Sequence, residues 1–386
     1  MKQIHLAEHG PLKDIVDLAD PVHVMASCTL DPDQEREALS HFQAFQGAPL
    51  KFSRLRKTPA GQNAILAFLN SDAINCETAG TFVVHKPHLM AFQYCTVVLA
   101  TCFAASGAKQ LDDNRCRDIA NLLVYGMPVA APPALWAEFL SRFRQALLIH
   151  TPQTVSAWIN AAKKLHAHIP DDFGVLADCI SPVTFLDPNR DYFKDLNPAW
   201  STPRVVGYFG LTREWARMLK EPFDWVVDGS SELNLATREV QAFAVQTEDS
   251  GKDGANPDER EIISWVHDIV AGDPHAHPQL ALADIVGGAL GTAIHAMTRT
   301  KAQAGTFATE VLEAADSKAL VFKRFWPEKD LDFSRLMMTT ESSLVELIDS
   351  TLLSPPASGS GGPPSPGSSS PGVGFAPRSV HPGKGS

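Results

Sequence analysis

The 386 residues are 44% hydrophobic and 20% charged, which suits a globular chain long enough for one large domain with insertions or for two domains. A formal charge of −11 argues against strong nonspecific binding to nucleic acid, but leaves room for a local basic groove. KFSRLRK at 51–57 is such a patch, and it reads equally well as a solvated loop. No uncharged apolar run reaches the ~20 residues of a membrane helix, and the opening residues lack the apolar core of a signal peptide. None of the six cysteines is spaced as CxxC, which argues against a zinc ribbon and a disulfide framework. The expectation is a cytoplasmic protein without membrane contact.

In chain order, QIHLAEHG is a short alternating segment broken by Gly10-Pro11. PVHVMASCTL (21–30) alternates β-branched residues and predicts a strand. DPDQEREALSHFQAFQ (31–46) predicts a helix capped by Asp31 or Asp33, with acids in its first turn and one apolar face. LKFSRL (50–55) reads as a short extended piece, GQNAILAFLNS as a short helix, and CETAGTFVVHK (76–86) as a strand. A long buried helix then runs from Pro87 towards Gly107.

Three amphipathic helices follow, in RCRDIANLLVYG, PPALWAEFLSRFRQALLIH and TPQTVSAWINAAKKLHAHI. Residues 178–212, rich in Pro and aromatics, read as a long loop or small subdomain. FDWVVD is a short buried strand ending in Asp228, with a helix expected around 233–246. HAHPQLALADIVGGALGTAIHA (275–296) is an apolar helix interrupted by Asp284. Residues 298–325 and 341–353 read as helical. From Ser354 the Pro, Gly and Ser content is too poor in aliphatics to fold. The pattern is an α/β core with a helical insertion.

Several groups are candidates for chemistry. His275 and His277 form HxH, whose members share a face only on a strand; the flanking prolines favour polar loop residues instead. Ser230 and Ser231 follow a strand but lack the second glycine of a nucleophile elbow. Gly287, Gly288 and Gly291 fall inside a helix, so they form no phosphate loop. They do share a face with Asp284 and His295, which predicts close backbone approach, plausibly to a strand edge. A carboxylate in that position needs an Arg or Lys, backbone donors, a solvent cleft or a metal ion. Asp228 strengthens the metal reading, because such sites gather carboxylates from several elements.

LALADIVGGAL resembles the QLADLIAGA-type helix of the domain-of-unknown-function 3800 family, which has a ribonuclease H-like fold. HLAEHG (5–10) sits where that family has a strand ending in DESG. LKFSRL is similar to its ELKFS segment, FVVHK (82–86) to its third strand, and DWVVDGSSEL to its later acidic strand. The resemblance spans about residues 1–295. It implies a ribonuclease H-like mixed sheet with helices on both faces, and carboxylates holding Mg²⁺ or Mn²⁺ for phosphodiester hydrolysis. Asp228 would be the strand ligand and Asp284 the helix ligand. Lys51 and Lys86 would contact phosphate or pair with the acids.

The departure is Ala7, where the family has Asp. Glu8 matches the family's Glu, but neighbouring strand residues face opposite ways. Three readings follow: Glu8 is re-aimed into a working site, the site is naturally degenerate, or Ala7 was introduced to inactivate it. The resulting expectation is a metal-dependent nuclease acting on RNA or DNA, with Asp228, Asp284 and Glu8 as ligands. The alternative is a noncatalytic ribonuclease H-like module that binds a protein or nucleic acid through its helical insertion, with a second copy of the chain a further candidate partner. The expected divisions are core at 1–108 and 221–297, a helical insertion at 109–220, C-terminal helices at 298–353 and a tail at 354–386.

Overall fold

The computed structural model describes residues 1–10, 20–45, 47, 49–105, 111–190, 192–193, 202–229, 265–299 and 305–328. The helices expected at 233–246 and 341–353, the tail, Ser230 and Ser231 lie outside these residues. The chain divides into two compact units, Met1–Lys86 with Ala199–Trp326, and Pro87–Pro198 with Pro327–Ser386. The helix after the third strand therefore belongs mostly to the second unit, and the helix at 203–219 to the first.

The first unit is an α/β structure built on a mixed six-stranded sheet. Its strands are β1 (Lys2–His9), β2 (Val22–Cys28), β3 (Ala79–His85), β4 (Phe223–Asp228), β5 (Val266–Gly272) and β6 (Val321–Phe325), in the order β5-β4-β1-β2-β3-β6. β2 runs antiparallel to β1 and β3, while β4 is parallel to β1, β5 to β4 and β6 to β3. β2 is buried at every residue, so it lies under cover on both faces. β5 and β6 were not legible as strands. β5 alternates poorly and β6, expected to be helical, is a mostly exposed edge.

The first helices of this unit in chain order are α1 (Pro32–Ser40), α2 (Phe52–Leu55) and α3 (Pro59–Asn70). Asp31 is the cap of α1, accepting from the N–H groups of Asp33 and Gln34, while the Gln34 side chain accepts from the Asp31 N–H in a capping box. LKFSRL, expected to be extended, contains one helical turn instead. Phe52 and Leu55, three residues apart, are both buried, which a helical turn achieves and a strand does not.

The second unit begins inside α4 (Lys86–Tyr94), which continues through a π turn at Cys95–Leu99 into α5 (Ala100–Ala105). It adds α6 (Asp113–Ala130), α7 (Pro133–Ile149), α8 (Pro152–His166) and α9 (Gly174–Thr184). An aromatic core of Tyr94, Trp136, Phe139, Phe143, Trp158 and Phe193 holds this unit together. Of the expected loop at 178–212, residues 185–190 and 192–193 carry no helix or strand, as expected, whereas its two ends are helical: 178–184 close α9, and 203–212 open α10 (Pro203–Leu219) of the first unit. Pro182 sits inside α9 and Pro203 at the start of α10, where a helix tolerates them, while Pro188 lies in the irregular stretch between.

Two more helices of the first unit among the described residues are α11 (Pro278–Arg299) and α12 (Thr306–Ser317). By length and composition α11 could cross a bilayer, but its glycine face is occupied by the sheet. A methyl on Gly287 would lie 3.0 Å from the Ala26 Cβ, and one on Gly291 would lie 2.7 Å from His9 and 3.4 Å from Val24. The contact is with the side chains on the face of the central strands β1 and β2, where the sequence suggested a strand edge. α10 covers the opposite face. A methyl on Gly207 would meet Met25 and one on Gly210 would meet Phe82, while Trp215 donates to Ser27 Oγ at 2.8 Å.

Candidate functional site at the end of the central strand

Strand alternation sorts the candidate residues between the two faces. On β1, Ala7 pairs with Ala26, the residue under Gly287, so Ala7 faces α11. Glu8 pairs with Met25, the residue against α10, and faces the other way. Arg204, in the first turn of α10, donates Nε to Glu8 Oε2 at 2.8 Å and Nη2 to Oε1 at 2.6 Å. The two side chains are only 11% and 20% exposed, and the two-pronged geometry fixes both carboxylate oxygens. The turn that would re-aim Glu8 towards α11 is not made.

Asp228 lies on the α11 face. Val226, two residues earlier, is 2.7 Å from where a Gly272 methyl would stand, beside Leu280 and His277 of the α11 approach. The last paired residues of β1 and β4 are Leu6 and Val227. Ala7 and Asp228 are therefore the next step in register and face the same helix. The position at which the resemblance demands an acid is thus beside Asp228, and it carries a methyl group.

Asp284 is half-buried on α11. Its Oδ2 accepts from the Phe52 N–H at 3.0 Å, at the start of α2. Burial raises its pKa; the Phe52 N–H, His9 and Lys51 pull it back towards the ionised form. Phe52 lies against Gly288, where any side chain would meet its ring within 2.2 Å. The aspartate and the glycines are thus one arrangement: the small face brings α2 close, and the α2 backbone satisfies the carboxylate.

His9 completes this group. Its imidazole lies over Gly291 and edge-on to Phe52, with ring centroids 5.4 Å apart. Burial lowers its pKa and Arg56 adds to that, while Asp284 and Asp20 oppose it. His295 Nδ1 lies 3.4 Å from Asp20 Oδ1. Sequence reading missed His9 and Asp20. The available signal was that His9, two residues beyond Ala7, shares its face.

Lys51 is exposed at the head of α2, and its charge reaches Asp284. Lys86 is fully buried, with its N–H donating to the Pro21 carbonyl at 2.7 Å; burial lowers the pKa values of the neighbouring His23 and His85, and the Lys86 charge adds to that. It is not among the groups acting on Asp284. The HxH histidines do not converge. His275 is exposed on a turn held by Asp273, whereas His277 packs against His5 with centroids 5.6 Å apart.

The donor set does not fit the two-ion centre implied by the resemblance. Glu8 is on the far face, clamped by Arg204; Ala7 offers no oxygen; and one oxygen of Asp284 is engaged by α2. Among the described residues no three His, Cys, Asp or Glu side chains are grouped as metal ligands. No protein-family model, curated protein or solved structure matches this chain.

Proposed function

We propose that the chain is a ribonuclease H-like module that binds nucleic acid and whose phosphodiesterase centre is incomplete. The observation that carries this is the placement of Ala7 beside Asp228 on the face of α11, with Glu8 on the opposite face bound to Arg204. The sheet supports the fold reading: β1, β4 and β5 are parallel, β2 alone is reversed, and helices cover both faces. Likeness to the domain-of-unknown-function 3800 family and a cytoplasmic location belong to the same proposal.

A Mg²⁺- or Mn²⁺-dependent nuclease is the second reading. It is favoured by Asp228 and Asp284 both belonging to the α11 side of the sheet. One comparison separates the two: cleavage of labelled single- and double-stranded RNA and DNA in Mn²⁺ by the chain, Ala7→Asp and Asp284→Asn. The proposal expects no cleavage by the chain. Cleavage that is lost in Asp284→Asn would establish the nuclease instead. Gain of cleavage in Ala7→Asp marks the centre as lacking one ligand, whereas silence of that variant on every substrate removes the nuclease connection.

A further inference from the structure

The chain has a formal charge of −11, yet between Glu37 and Asp72 it contains no acidic residue and four cations, Lys51, Arg54, Arg56 and Lys57. All four are exposed, and none makes an ion pair among the described residues. Elsewhere in the same unit Arg36, Arg204, Arg217, Lys318 and Lys323 each face a carboxylate. The four cations sit on a fixed base. Phe52 and Leu55 are 1% and 2% exposed, Phe52 lying against Gly288 and the Leu55 carbonyl so close to Gly61 that no side chain fits there. The Phe52 N–H is tied to Asp284. A short turn with both apolar residues buried directs its polar ones outward.

We propose that residues 51–57, α2 and its flanks, are the surface on which a nucleic-acid strand lays its phosphates, with Lys51, Arg54, Arg56 and Lys57 as the contacts. This rests on the nucleic-acid reading above and assigns the part of the molecule that performs it. Arg54, Arg56 and Lys57, with no carboxylate partner among the described residues, lose no ion pair when they meet phosphate, and each phosphate they neutralise releases counterions. Anchored roots limit the ordering cost of binding. The rest of the chain, whose net charge is more negative than the −11 of the whole, repels a polyanion and so confines it to this patch.

The test is fluorescence anisotropy of labelled single-stranded RNA and DNA oligonucleotides across a salt series. It compares the full chain with Arg54→Gln/Arg56→Gln/Lys57→Gln, leaving Lys51 beside Asp284 in place. A control, Arg36→Gln/Lys163→Gln/Lys164→Gln, removes the same charge at other exposed positions. Losing three phosphate contacts should reduce the slope of log Kd against log salt by about 2, or roughly 20-fold in affinity between 50 and 200 mM salt. The control should keep the slope of the unaltered chain, and RNA against DNA identifies the source of the phosphates. Binding with an unchanged slope in the patch variant overturns this surface but leaves the proposed function standing. Equal losses in patch and control variants also overturn it, by reducing it to net charge. Equal binding of polyglutamate makes the partner an acidic protein and overturns it. Failure of the unaltered chain to bind either oligonucleotide overturns the proposed function and this surface together.

Discussion

Gly288→Ala tests the packing that holds the site. The new methyl would stand 2.2 Å from the Phe52 Cδ1, 2.3 Å from its Cγ and 2.8 Å from its Cβ. Carbon atoms in contact prefer about 3.5–4.0 Å, so the ring and its backbone have to move by more than about 1 Å. Overpacking of this kind costs about 1–3 kcal/mol. Moving Phe52 also weakens its N–H bond to Asp284, which we put at about 1 kcal/mol after discounting for a partly exposed carboxylate. Against this, alanine gains about 1 kcal/mol over glycine in a helix interior. The net expectation is destabilisation by about 2 kcal/mol. Hydrogen exchange of the β2 amides at 22–28 measures it within the first unit. Gly287→Ala is the control: the nearest atoms to its methyl would be the Ala26 Cβ at 3.0 Å and the His9 Cβ at 3.8 Å, a far milder contact that the helix preference for alanine should offset, so it should be close to neutral. The Gly288→Ala cost should shrink when Phe52 is also truncated. Equal or greater protection of β2 in Gly288→Ala alone would refute the argument.

Other expectations follow from the buried charges. His23 is fully buried with both ring nitrogens unpartnered, and burial, with Lys86, Arg204 and His9 adding to it, lowers its pKa to about 3. Below the ordinary imidazole value of 6.5 the unfolded chain takes up a proton that folded His23 refuses, so stability falls as pH drops from 6.5 towards 3. His23→Leu should therefore reduce the loss between pH 6.5 and 5 by about 2 kcal/mol, read by hydrogen exchange of the same strand at the two pH values. Asp284 has the opposite sign. Its pKa is raised on folding, so its contribution is greatest below the usual carboxylate value and declines as pH rises through the folded value. Asp284→Asn keeps an acceptor for the Phe52 N–H and should gain stability at pH 7 relative to pH 3, measured by urea unfolding at both. Arg204→Gln leaves Glu8 without its paired donors and should destabilise the first unit by about 2 kcal/mol, discounted from a fully buried pair. Adding Glu8→Gln should recover part of that loss, and a thermal melt of the single and double variants checks both.

The segments that sequence alone determined are those whose local pattern has one physical solution. Alternating β-branched residues made β2 and β3, Asp31 with Gln34 capped α1, and the apolar run around Asp284 made α11. The glycine face announced close packing because a glycine stripe serves little else. Tertiary structure decided the rest. The turn at Phe52–Leu55 forms because two side chains have a core to enter, and β6 forms because β3 offers an unpaired edge. Neither fact is written in a window of a few residues. The site was legible in the same partial way. Alternation alone said that Ala7 and Glu8 must face opposite ways. Only the packed sheet decided which face carried Arg204 and which carried α11, because that depends on helices nearly 200 and nearly 280 residues away in sequence.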